Sequence, residues 1–97
     1  MKTVKFHPDA ESEMIDAARF YEDKQPQLGK RFLQAVSQTA EKISWNPSIY
    51  RKIENSISWS RVAAYPFAIV FREKENHIEV LAVMHIRRQP GYWKTRR

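Results

Sequence analysis

The sequence predicts an α+β fold: a helical hairpin packed on one face of a small, mainly antiparallel sheet, in the order β-α-α-β-β-β. Two observations carry this. Apolar residues recur at helical spacing from Ala10 to Ile43, with one interruption at Lys24-Gln25-Pro26, and from Ser56 onward the period changes to two. So short an interruption suits an antiparallel return between two helices.

The elements follow in order. Thr3–His7 reads as a short edge strand, Val4 and Phe6 alternating with polar neighbours. Pro8 suits the first helical position, where its missing N–H is no loss, and Asp9, Glu11 and Glu13 favour the positive end of the helix dipole. His7 is then a helix-entry residue. Ala10, Met14, Ala17, Ala18 and Tyr21 form one apolar stripe. A second helix begins near Gln27, with Leu28, Phe32, Ala35, Val36, Thr39, Ala40 and Ile43 on one face, and Asn46-Pro47 ends it. Ile57–Ala64, Phe67–Glu73 and His77–Ile86 read as three strands, with Tyr65-Pro66 and Glu75-Asn76 as their connections. In the last of them Ile78, Val80, Ala82, Met84 and Ile86 share one face, assigned to the core. His77, Glu79, Leu81, Val83, His85 and Arg87 share the other.

Composition bounds the class. A chain of 97 residues makes one domain, 1–97, and 42% hydrophobic with 12% aromatic content is enough to fold it. With no cysteine there is no disulfide framework and no thiolate chemistry. Three scattered histidines lack ligand spacing, so no metal is expected, and two glycines cannot build a phosphate-cradling loop, so no cofactor is expected. No apolar run matches a signal peptide or a membrane span, which makes the cytoplasm the expected compartment. The net charge of +6 is unevenly spread: residues 1–23 carry six acids and three bases, whereas after His85 there are five bases and no acid. An acidic first helix on a basic body points to an anionic partner for the basic side.

The stretch from Leu81 to Trp93 concentrates the chemistry. An apolar strand runs into His85, then Arg87 and Arg88, then a turn with Tyr92 and Trp93. Strand parity allows Arg61, Arg72 and His85 to share the face away from the helices. Cleavage of RNA through its own 2′-OH needs a base, cations on the phosphorane and an acid for the leaving oxygen. His85, Arg88 and Tyr92 are the candidate catalytic residues, with Arg61, Arg72, Arg87 and Trp93 as target-binding support, and no metal is required. The alternative for Arg61 and Arg72 is routine cross-strand pairing with Glu54, Glu73 or Glu79.

Several ordered motifs then resemble one family. They are Pro8-Asp9-Ala10-Glu11, Ala17-Ala18-Arg19-Phe20-Tyr21, Leu28-Gly29-Lys30-Arg31-Phe32, Asn46-Pro47, Tyr65–Arg72, and Met84-His85-Ile86-Arg87-Arg88 with Pro90 and Tyr92-Trp93. Together they resemble the RelE/ParE toxin superfamily, closest to its ParE-like plasmid-stabilisation branch. The resemblance implies the toxin of a type II toxin–antitoxin module, a cytoplasmic growth inhibitor neutralised by a cognate antitoxin protein. RelE-like members cut messenger RNA on the ribosome; ParE-like members poison DNA gyrase. Tyr50–Ser58 lacks the glycine-punctuated basic segment of the RelE pattern, so gyrase is the preferred target. The alternatives are a ribosome-dependent endoribonuclease and a non-toxic protein-binding module of the same fold.

Overall fold

The computed structural model describes residues 1–96. Strand β1 (Thr3–Phe6) leads into helices α1 (Pro8–Lys24) and α2 (Leu28–Trp45), and a 3₁₀ turn at Pro47–Ile49 follows. Strands β2 (Lys52–Glu54), β3 (Ile57–Arg61), β4 (Phe67–Glu73) and β5 (His77–His85) complete the sheet, whose order is β1-β5-β4-β3-β2. All neighbours are antiparallel except β1, which lies parallel to β5.

The helix boundaries have local causes. The His7 side chain caps α1, its Nδ1 accepting from the Asp9 N–H at 3.0 Å, and Pro8 occupies the first turn. Between the helices Gln27 is left-handed at φ 75°, and the Glu22 carboxylate accepts from the N–H groups of Gln27 and Gly29. One helix thus supplies the N-terminal cap of the next. Gly29 permits their close approach, because a β-carbon there would overlap the Ala18 carbonyl oxygen.

The helices cover one face of the sheet. Phe32, Val36 and Ile43 of α2 pack with Ala10, Ala17 and Ala18 of α1 on Ile69, Phe71, Ile78, Val80 and Val83. Tyr21, Phe32, Tyr65 and Phe67 add a cluster of tilted and edge-to-face rings with centroids 5.1 to 6.2 Å apart. The opposite face has a core of its own: Ala68, Val70, Leu81, Ala82 and Met84, closed over by Trp93.

Three sequence expectations need correction. The strand at Lys52–Glu54 was not expected; three residues joined to β3 through a register shift, with Asn55 at φ 44° in the turn, give no readable alternation. Strand β3 ends at Arg61 rather than Ala64, where Ala64 turns left-handed at φ 70°. Most consequential is the face assignment in β5. Val70 pairs with Ala82 but Phe71 pairs with Val80, so Leu81 is an extra residue, a bulge. Ile78 and Val80 face the helices as expected. Beyond the bulge the parity inverts: Val83 faces the helices, and Ala82 and Met84 join the opposite core.

Candidate functional site

The bulge decides where His85 goes. It pairs with Phe67, and the two rings meet edge-to-face at 5.2 Å on the helix side of the sheet. Its Nδ1 accepts from the Arg87 N–H at 3.1 Å, and its carbonyl accepts from the Arg88 N–H at 3.0 Å. The imidazole therefore shapes the turn out of β5, with its neutral-ring proton on Nε2. It does not share a face with Arg61 and Arg72.

Those two arginines do lie on the open face, at opposite ends. Arg61 is opposite Ala68, and Arg72 is opposite Ile57, four residues further along β3, which amounts to roughly 13 Å at the usual rise per residue. Arg72 Nε donates to Glu79 at 2.8 Å, the cross-strand pairing weighed as its alternative role. Arg61 is exposed and makes no ion pair among the described residues.

The tail folds back under β5. Strand β1 stops opposite Val80, so the upper half of β5 presents an open edge beside α1. Glu13 fills it: its carboxylate accepts from the Val83 N–H at 3.1 Å, from Arg96 at 2.8 and 3.1 Å, and from Arg88 at 3.3 Å. Arg96 also donates to the Leu81 carbonyl at 2.9 Å. Hydrogen bonding to Glu13 raises the Arg96 pKa above the ordinary arginine value. The Arg88 guanidinium lies 3.5 Å from the Tyr92 ring centroid, a close cation–π stack. The Tyr92 hydroxyl is buried toward Glu13, short of hydrogen-bond geometry with any described residue. Burial first, and the Glu13 carboxylate next, push its pKa well above the ordinary phenol value.

Trp93, expected at a target surface, is 2% exposed and packs as the lid of the second core. What the open face displays instead is a cleft of about 340 Å³ with Trp59, Met84 and Ile86 in its lining and Arg51 and Arg88 as its cationic residues. Arg87 is exposed in the turn beside it. Of the sequence-derived candidates, the structure brings Arg88 and Tyr92 together and sets Arg61 and Arg72 apart. Arg51, part of a basic cluster in the sequence, and Trp59, an aromatic able to stack on a base, line the cleft; Glu13, read only as a helix-dipole residue, and Arg96 were not expected at the site. The signal for Glu13 was present: it lies three residues after Ala10, inside the apolar stripe, and a carboxylate there needs a cation to accompany it.

A family model described as the ParE toxin of type II toxin–antitoxin systems, parDE, matches residues 4–90. The chain belongs to the ParE toxin family. It is thus the toxin component of a type II toxin–antitoxin system. The matched span of this ParE-family toxin runs from β1 through Pro90, taking in Glu13, Arg88 and the open-face cleft, while Tyr92, Trp93 and Arg96 lie past it. Its fold is similar to that of a solved chain from the chromosomal ParDE toxin–antitoxin system of P. aeruginosa. The TM-score is 0.76 over 88% of this chain and 96% of that one, at 15% identity, a likeness of fold. Curated protein sequences give no match. Among the described residues no helix is long and apolar enough to cross a membrane, and no cluster of candidate metal ligands occurs.

Proposed function

We propose that residues 1–97 act as one toxin domain that inhibits growth in the cytoplasm by engaging DNA gyrase through the open sheet face around Arg88, and that the chain is not a ribosome-dependent nuclease. One observation carries this reading: the groups able to move protons are not assembled around a reactive site. His85 is turned to the helix side against Phe67, and the Tyr92 hydroxyl is buried, with its pKa raised by burial and by Glu13. A general base must reach the proton it removes and titrate near the working pH: the Tyr92 phenol is buried and raised, and the His85 Nδ1 is taken up by the Arg87 N–H. What remains exposed is suited to recognition: Arg51 and Arg88 in one cleft with Trp59, and Arg61 and Arg87 exposed outside it.

The antitoxin in this reading covers a different surface, the apolar groove of about 670 Å³ between β1 and the hairpin, where Phe6, Met14, Leu33 and Val36 are part of the lining. An amphipathic helix or an added strand would fill it. Purified chain tested in a gyrase supercoiling assay beside a ribosome-bound mRNA cleavage assay separates the readings. Inhibition of supercoiling without mRNA cleavage is the expected result. Cleavage products on the ribosome would replace gyrase with the nuclease reading, and silence in both assays would leave a binding module.

A further inference from the structure

The open face has a second recess at its other end. A cleft of about 420 Å³ lies between the end of β4, the start of β5 and the tail, lined by Arg72, Lys74, Glu79, Lys94 and Arg96. Four cations and one carboxylate line it, and of the cations Arg96 and Lys94 also pair with Glu13 and Glu54 beyond the lining. We propose that this cleft is a phosphate-binding site that holds the backbone of a nucleic acid, whichever protein the toxin inhibits.

The donors are available. Arg72 gives Glu79 only its Nε, which leaves its two terminal nitrogens without an acceptor among the described residues. The Lys74 ammonium likewise has no acceptor among them, although its backbone carbonyl accepts from Lys2 at 2.6 Å. Lys94 reaches Glu54 at 3.2 Å with its side chain 55% exposed, a surface pair that costs little to exchange. Arg96 differs: it is held by Glu13 and Leu81, with Asp9 3.8 Å from its Nε, so its charge is already met and it bounds the cleft as a fixed wall. The three mobile or partly free cations, Arg72, Lys74 and Lys94, match the oxyanions of a phosphodiester, which such groups bind without reading sequence. The cleft lacks the apolar floor of the Arg88 cleft, so it takes the backbone and not the bases.

The test is anisotropy of a labelled 20-base-pair duplex with the purified full chain across a salt series, gyrase being absent. Each phosphate contact scales affinity by about the −0.9 power of the salt concentration, so losing two contacts costs about 60-fold at 0.1 M salt relative to a 1 M extrapolation. A Lys74→Gln, Lys94→Gln variant should show that loss, with a salt slope shallower by about two. A Lys30→Gln, Lys42→Gln variant has the same net charge but is altered on the exposed helix layer, and it should bind like the parent. Equal losses in both variants would overturn the site in favour of a diffuse positive field. So would no duplex binding at 50 mM salt, or inorganic phosphate displacing the duplex at equal phosphate concentration, the latter pointing to a small phosphate ligand. Since supercoiling inhibition is not read, a failure here leaves the gyrase proposal standing.

Discussion

Replacing Glu13 with alanine removes one carboxylate and strands four donors. The Val83 N–H loses its acceptor at a sheet edge, and the two Arg96 contacts and the Arg88 contact disappear together. The side chains of Glu13 and Arg96 are 15% and 13% exposed, so water replaces these bonds poorly. An unpaired buried amide costs about 1–3 kcal/mol, and breaking a buried pair by removing one partner about 3–5 kcal/mol. Partial exposure and the Leu81 carbonyl, which Arg96 keeps, reduce the second figure, and a combined loss of about 3 kcal/mol is expected. For a domain of this size, about 4–8 °C per kcal/mol gives a fall in Tm of about 15 °C by calorimetry. Glu13→Gln retains an oxygen for Val83 but loses the charge, so it should fall by about half as much. An Arg96→Ala variant should cost less alone, and the Glu13→Ala, Arg96→Ala pair should be far from additive. A Glu13→Ala melting point within 2 °C of the parent would refute the reasoning, because the tail would then be held by something else.

Other outcomes follow from the same geometry. Trp93→Ala should destabilise by about 3–5 kcal/mol in denaturant titration, since it empties the lid of the second core; an unchanged midpoint would make Trp93 a surface residue after all. Gly29→Ala should cost about 1–3 kcal/mol, because the Ala18 carbonyl cannot retreat without parting the helices, and a neutral result would mean that the hairpin is looser than described. In growth assays His85→Ala should remain toxic, while an Arg88→Ala, Tyr92→Ala double variant that still folds should not; the reverse pattern would restore proton transfer to the site. Tyr92 keeps its proton in the fold to higher pH than in the unfolded chain, so stability should hold up to about pH 10 and fall as pH rises beyond it. Tyr92→Phe should flatten that alkaline limb, and a limb of unchanged slope would assign it to other groups.

Much of the fold could be read directly from residue spacing. The change of period after Ile43, the Pro8 entry and the Asn46-Pro47 stop are local signals, and local signals survive into the structure. The bulge at Leu81 is not local. Val80, Leu81, Ala82 and Val83 are all apolar and all buried, so no alternation marks where parity turns over. That one extra residue sent His85 to the helix face and Met84 away from it. The pairing of Arg88 with Tyr92 could be read from the strand-to-tail region because they lie four residues apart in one turn, and they stack in space. Trp93 was misread for a different reason: aromatic residues in a basic tail suit a target as well as a core, and only the apolar open face of β4 and β5 decides between them. The acidic and basic halves of the chain looked like an invitation to a partner. Part of that charge is satisfied at home, where Glu13 and Asp9 of α1 meet Arg88 and Arg96 of the tail.

The parallel pairing of β1 with β5 sets an order of events. Strand β1 and the helical hairpin come early in this order, yet the neighbour β1 needs lies more than seventy residues further along the chain. Until then the apolar faces of α1 and α2 have only each other, and β1 has no ladder. The fold consequently closes in one late step: β5 enters between β1 and β4, and Glu13 then secures the edge. A chain interrupted before His77 lacks Arg88 and β5, so β1 has no partner strand and β4 keeps an open edge.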